Sequence, residues 1–333
     1  MSNGRLTAIE TQLLLAAATA APSLHNSQPW RFYVTGAVLD LLADPGRQLR
    51  RADPEGRALH VSCGAALLNL RVAAEHLGYS PKVRLLPVPS DPMLLARVTL
   101  GGRSERAGMT GAMYDAIPLR HTNRFPFEDR PVPHAVGTAL IEAASVEGAE
   151  LTLVTDATER ERLTELVHLA DLESDIDPSR AEEAAKWTGV DGDRLDGVPG
   201  YALGPIPRDP AAPVRDLRRG RPIPGREQRR FERAPTLGVL STAHDDSEAW
   251  LRAGQALERV LLVGTVQGLA ASFVNQPLEH TELRWLVRDP GRGIGYPQMV
   301  LRLGYGVPAP PTPRRPLDEV TTEPVSTELD SGD

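Results

Sequence analysis

The stretch Gly64-Ala-Ala-Leu-Leu-Asn-Leu-Arg-Val-Ala-Ala-Glu-His-Leu-Gly78 has a counterpart later in the chain, Gly254-Gln-Ala-Leu-Glu-Arg-Val-Leu-Leu-Val-Gly-Thr-Val-Gln-Gly268. In the first, the spacing of Leu67, Leu70, Ala74 and Leu77 predicts a helix closed by a glycine suited to the position after the last turn. In the second, Ala256, Leu257, Val260 and Gly264 stand at equivalent places, and both pairs of bounding glycines are fourteen positions apart. Each predicted helix is followed by a strand-like segment and then by a second β-rich run, Met93 to Leu100 in one case and Gln298 to Tyr305 in the other. Pro92 and Pro297 precede these runs, and Arg97 and Arg302 occupy the same place within them. Shared order of this kind points to a chain built twice.

A weaker match pairs Leu13–Ala18 and Trp30–Val34 with Leu140–Ala144 and Glu150–Val154, each reading as a helix followed by an alternating strand. Between these elements the first half carries Ala21-Pro-Ser-Leu-His-Asn-Ser-Gln-Pro29, and the second only Ser145-Val-Glu-Gly-Ala149. Residues from about 171 to 235 have no counterpart in the first half. They are rich in Pro, Gly, Asp and Arg, with turns marked at Asp177-Pro178, Gly197-Val-Pro-Gly200 and Arg221-Pro-Ile-Pro-Gly225. An inserted lid and a linker both fit that composition. The expected organisation is a first half over 1–115, a second half over 116–320 containing the insertion, and a polar, acidic, disordered tail over 321–333.

Composition restricts the function. The 333 residues carry a formal charge of −7, so no basic surface for nucleic acid is expected. The one cysteine, Cys63, has no partner for an internal disulfide, which suits the cytoplasm. The apolar run Leu13–Ala21 lacks a basic flank and reads as a buried helix, not as a leader or a membrane span. Eight histidines and one cysteine show no paired ligand spacing, so no metal is expected. Gly291-Arg-Gly-Ile-Gly295 lacks the flanking strand and helix of a dinucleotide-binding unit and reads as a turn. No Gly-x-Ser-x-Gly elbow of a serine hydrolase is present. The arginines at 215, 218, 219, 221, 226, 229, 230 and 233 could meet an anionic partner or form a solvated face.

Two segments could carry chemistry. The loop Ala21-Pro-Ser-Leu-His-Asn-Ser-Gln-Pro29 offers the Ser23 hydroxyl, the Asn26 amide and free backbone groups, an inventory able to read the polar edge of a planar ring. A helix-to-strand turn held by local hydrogen bonds would use the same residues. Arg120-His-Thr-Asn-Arg124 places two arginines four apart around a histidine and a hydroxyl, which suits a phosphate or, equally, a solvated helix start.

The first segment resembles the Pro-Ser-x-x-Asn-x-Gln-Pro-Trp motif of the nitroreductase family, and the second its Arg-Arg-Ser-x-Arg motif. The division of one motif to each half is similar to the Acg-like branch of NAD(P)H nitroreductases, over most of residues 5 to 320. The resemblance implies an α+β nitroreductase-like fold, two degenerate copies fused as an intramolecular pseudo-dimer. One composite FMN site would be complete, with a second lacking both motifs. By the family's roles, Arg120, Thr122, Arg124 and Arg314 would hold the phosphate and the nearby flavin edge, with His121 beside them and Arg315 as a substitute for Arg314. Pro22, Ser23, Leu24 and Asn26 would line the ring from the other half. Phe273-Val-Asn-Gln-Pro-Leu-Glu279 resembles a segment whose backbone approaches the flavin, which adds Gln276 and Pro277.

The implied activity is reduction of nitro, quinone or related small molecules with NAD(P)H as co-substrate, by ping-pong hydride transfer. The cofactor carries that chemistry, so no catalytic side chain is required, His25 included. The alternative is an FMN-binding protein that stores or sequesters the flavin or senses redox state. Fusion removes the usual need for a second subunit, so a monomeric pseudo-dimer and a homodimer are both open.

Overall fold

Thr7 starts the first helix, α1 (Ala8–Thr19), by a reciprocal capping box: Glu10 N donates to Thr7 Oγ1 at 3.2 Å, and Thr7 N donates to Glu10 Oε2 at 2.9 Å. A computed structural model describes residues 6–102, 109–190, 193–209, 212, 214–217, 225–288 and 295–322. After α1 come β1 (Trp30–Thr35) and β2 (Val38–Ala43), joined by a tight turn, then the long helix α2 (Arg57–His76). β3 (Pro81–Leu85), β4 (Leu94–Leu100) and α3 (Met109–Ala116) complete the first run. A second run follows: α4 (His134–Val146), β5 (Glu150–Val154), α5 (Ala157–Asp175), α6 (Pro178–Trp187), and the short strands β6 (Thr188–Val190), β7 (Val198–Pro199), β8 (Ile206–Pro207) and β9 (Gln228–Arg229). The chain closes with β10 (Thr236–Thr242), α7 (Ser247–Val266), β11 (Ala270–Phe273), α8 (Thr281–Leu286), β12 (Tyr296–Gly304), α9 (Leu317–Val320) and β13 (Thr321–Thr322).

The fold is α+β, with two principal sheets. One is ordered β13-β1-β2-β4-β3 and the other β11-β12-β10-β5. Within these two sheets all pairings are antiparallel except that of β13, which lies parallel to β1. The segments matched in the sequence take matching places. β3 pairs with β4 after α2, and β11 pairs with β12 after α7. β2 lies between β1 and β4, as β10 lies between β5 and β12.

Each long helix packs its apolar side on its own sheet. Leu67, Leu70 and Ala74 of α2 share a core with Trp30, Phe32, Leu41 and Leu95, whereas Ala256, Leu257 and Val260 of α7 share one with Leu151, Leu240 and Leu301. The two helices pack on each other, so that Leu251 and Leu262 of α7 enter the first core and Val61 of α2 the second. Burying one such leucine contributes roughly 2 kcal/mol, which makes the helix pair the main link between the two runs.

Several expectations need adjustment. Both long helices begin about seven residues before the expected glycine. Asp246 caps α7 by accepting from Ala249 N, and Asp53 accepts from Ala58 N and Leu59 N at the start of α2. Pro297 lies inside β12, opposite Ser241, where the pairing shifts register and a missing amide is tolerated. The segment without a first-half counterpart opens directly after β5, where the first half has only the β1–β2 turn, and it includes all of α5. Thr321 and Thr322, expected in the disordered tail, instead pair with Phe32 and Tyr33. The rest of that tail, the 221–224 part of one turn, Arg218, Arg219 and Arg221, and 291–294 of the glycine turn lie outside the described residues. No helix among the described residues is long and apolar enough to cross a membrane.

Candidate functional site

The loop after α1 is held in a costly backbone shape. His25, Asn26 and Gln28 adopt φ of 49°, 56° and 50°, left-handed values that side chains disfavour and that persist only where neighbours enforce them. Asn26 Nδ2 donates to Gly197 O and to Pro313 O, both at 3.0 Å, and its Oδ1 accepts from Arg314 at 3.1 Å. Gln28 donates to Leu195 O at 2.8 Å and accepts from Arg315 N at 2.8 Å. Ser23 Oγ accepts from Gln28 N at 2.9 Å. The clamp therefore comes from the inserted segment and from the C-terminal segment together. Asn26 spends its amide on this clamp, while Pro22, Ser23, Leu24 and His25 face a pocket.

That pocket lies between the two runs and opens to solvent. Ala58, Val61 and Ser62 of α2 join the loop on one side. Thr122, Arg124, Leu257, Ser272, Phe273, Asn275 and Met299 form the other. Arg120-His-Thr-Asn-Arg124 is not a helix start: Thr122 bridges in parallel to Ala271, and Asn123 N donates to Ala271 O at 2.7 Å, which lays the segment along the edge of β11.

Arg124 is the notable charge in the pocket wall. Its guanidinium donates to Ala202 O at 3.1 Å, and no carboxylate among the described residues pairs with it. Burial, and after it the nearby Arg215, pushes its pKa down to about 10, so it remains a cation at neutral pH. Arg215 lines the same pocket but is neutralised by a two-pronged pair with Glu279. Among the described residues, the wall thus carries one positive charge that no carboxylate offsets. Gly204 of the inserted segment fits against Arg124, where an added Cβ would lie 2.2 Å from Arg124 O, so glycine is what lets the two backbones approach.

Other residues singled out in the sequence gather beside the pocket, at the end of α1. Arg314 donates to Thr19 O at 2.9 Å and to Ala20 O at 3.0 Å, and Arg120 donates to Ala20 O at 3.0 Å. Arg120 Nε lies 3.3 Å from Oε1 of Glu258, a fully buried carboxylate on α7. Burial pushes Glu258 up to about 7 against the opposing pull of Arg120, Asn69 and Arg314. Burial, then Arg120 and Arg314, push His121 down to about 4, so its ring is neutral at pH 7. This cluster holds two guanidiniums against one carboxylate, an excess of positive charge suited to an anionic group.

Three expected residues have structural partners. Gln276 donates to Asp171 Oδ2 at 3.3 Å, Pro277 is buried in the turn Gln276–Glu279, and Arg315 is bonded to Glu319 and the Gln28 backbone. None of them lines the pocket. The structure also adds Ser62 of α2, which carried no sequence signal, and of the expected Phe273–Glu279 segment it brings Phe273 and Asn275 to the pocket, whereas Leu203, Pro205, Pro207, Leu217 and Phe231 of the inserted segment form a roof.

No family model matches the sequence. A Mycobacterium tuberculosis H37Rv protein named "Putative NAD(P)H nitroreductase Rv3131" is 37% identical over 325 residues, spanning 93% of this chain and 90% of its own. A second from the same strain, "Putative NAD(P)H nitroreductase acg", is 32% identical over 317 residues, spanning 91% and 92%. Among solved structures, the BluB-like flavoprotein of Clostridium difficile aligns with 62% of this chain and 96% of its own, at 14% identity and a TM-score of 0.42. The chain belongs to the nitroreductase family that the two mycobacterial proteins represent.

Proposed function

We propose that the chain is an FMN-dependent oxidoreductase that uses NAD(P)H to reduce nitro, quinone or related oxidised small molecules, with one flavin site in a single-chain pseudo-dimer. The names of the mycobacterial relatives support the donor, and the pocket supports the cofactor. FMN, when bound, supplies hydride chemistry, taking two electrons from NAD(P)H and passing them to the oxidised substrate.

The observation that carries this reading is the composition of one pocket. The Pro22–Leu24 loop of the first half and Thr122 and Arg124 of the second line the same cavity, in apolar walls that include Val61, Leu257, Phe273 and Met299. Apolar walls suit an aromatic ring, and hydroxyls from Ser23, Thr122 and Ser272 suit its polar edge. Arg124 would stabilise negative charge that a ring gains on reduction, because no carboxylate among the described residues cancels its own charge. Arg120 and Arg314 would hold the phosphate with the neutral His121 beside them, the two guanidiniums being offset, among the described residues, by Glu258. For Arg314 this requires exchanging backbone acceptors for phosphate oxygens, and its N–H groups already point to Thr19, Ala20 and Asn26.

Sequestration of the flavin is the second reading, and the roof favours it. Leu203, Pro205, Pro207, Leu217 and Phe231 stand over the pocket where a hydride donor would have to approach. One experiment separates the two: an absorbance spectrum of the FMN-loaded protein, followed by anaerobic addition of NADPH and then of NADH. Rapid bleaching supports turnover, persistent yellow supports sequestration, and failure to bind FMN would reject both.

A further inference from the structure

We infer that Glu147 is a built-in stand-in for a ligand anion, closing a second cationic site that corresponds to the one at the end of α1. The inference rests on the pseudo-dimer reading and not on the identity of the flavin. α1 and α4 are the paired helices of the two halves, and each ends where two guanidiniums converge. At the end of α1 these belong to Arg120 and Arg314. At the end of α4 they belong to Arg71 of α2 and Arg259 of α7, and the group between them is the carboxylate of Glu147, the residue that follows α4.

The geometry at Glu147 resembles recognition of a bound oxyanion. Arg71 Nη1 donates to Oε2 at 2.6 Å, and Arg259 reaches Oε1 through Nε at 2.7 Å and Nη2 at 2.6 Å. Arg71 Nη1 is also steadied by Gln255 Oε1 at 2.8 Å. Glu147 is 7% exposed. Burial alone would raise its pKa, but Arg71 and Arg259 outweigh burial and hold it below the usual carboxylate range. Two cations around one anion leave the cluster with a net positive charge, as at the end of α1.

The sequence difference between the halves accounts for this arrangement. Where the first half has the nine residues Ala21–Pro29, the second has only Ser145–Ala149, and this short connection turns Glu147 inward. Counting five residues from Gly64 and from Gly254 reaches Asn69 and Arg259. The first site has a neutral amide at that place, and its carboxylate, Glu258, lies 3.3 Å from Arg120 Nε with no hydrogen bond to either guanidinium, so its arginines are not locked by it. The second has an arginine and is locked by the protein's own carboxylate. The chain would therefore bind one anionic ligand, not two, because one site is already filled from within.

Removing the carboxylate should uncover a site for a small oxyanion, and inorganic phosphate is the probe. Thermal melts at fixed ionic strength compare wild type, Glu147→Ala and the double variant Glu147→Ala/Arg259→Met. Glu147→Ala is expected to melt below wild type without phosphate and to gain about 3 °C more than wild type at ~50 mM phosphate. The double variant is expected to lose this extra gain. If Glu147→Ala does not fold, Glu147→Gln, which keeps an acceptor for Arg71, should show the same extra gain on a smaller scale. A phosphate response no larger than that of wild type in the variant that folds, or an extra response retained after loss of Arg259, would overturn the inference. The FMN spectrum of wild type reports on the proposed function separately.

Discussion

Gly64 and Gly254 meet back to back where α2 crosses α7. A Cβ on Gly64 would lie 2.2 Å from Leu251 O and 3.0 Å from the Gly254 Cα, and one on Gly254 would lie 2.1 Å from Val61 O. The two glycines that define the sequence match thus lie in the contact between the two long helices, and backbone touches backbone there.

Alanine at either position therefore cannot be accommodated by moving a side chain, since the obstructing atoms are carbonyl oxygens. Gly64→Ala and Gly254→Ala should each destabilise the fold by about 3 kcal/mol, read from urea denaturation. Gly111→Ala on α3 is the control. A Cβ there meets no atom within 4 Å, so the helix should gain up to about 1 kcal/mol. Equal effects at all three positions would refute the close crossing.

Arg124→Met tests the uncompensated charge in the pocket wall. Its only hydrogen bond to described protein is to Ala202 O, so the fold should survive the change. Loss of a charged donor worth about 2 kcal/mol should weaken FMN binding about 30-fold, measured by quenching of flavin fluorescence. Unchanged affinity would remove Arg124 from the site.

Arg215 and Glu279 fasten the inserted segment to the turn before α8, and Glu279 is almost fully buried. Arg215→Met would strand that carboxylate and should cost about 3 kcal/mol in denaturation. The double variant Arg215→Met/Glu279→Gln, which removes both charges, should recover most of the loss. If the double variant is as unstable as the single one, packing and not charge holds the roof.

The paired helices and strands were legible because they depend on local periodicity and on bounding glycines such as Gly78 and Gly268, both with φ above 70° after the last turn. The starts of α2 and α7 were less so, since polar caps at Asp53 and Asp246 extend helices beyond their apolar repeat. Sequence spacing also could not say which residues of a motif turn inward. Ser23 and Thr122 line the pocket, while Asn26, from the same loop as Ser23, is taken up by Gly197 and Pro313, 171 and 287 residues away. The roof was least legible, because Leu203, Leu217 and Phe231 lie in a Pro- and Gly-rich segment without a period, and only the tertiary fold brings them over the pocket.

His121 and Glu258 make opposing contributions to the pH dependence of stability. In the fold His121 titrates near 4, below its ordinary 6.5, so the unfolded chain takes up that proton first and stability falls as pH drops from 6.5 toward 4. Glu258 titrates near 7 in the fold, above its ordinary 4.5, so its protonated form favours the fold at low pH and that contribution is lost as pH rises from 4.5 toward 7. Between 4.5 and 6.5 the two slopes oppose each other. Relative to wild type, Glu258→Gln should lose stability on going from pH 7 to pH 5, because only the His121 slope remains. His121→Asn should gain stability over the same change. Urea midpoints at the two pH values measure both, and shifts of the same sign in the two variants would show that these groups do not titrate in the fold as their burial and neighbours require.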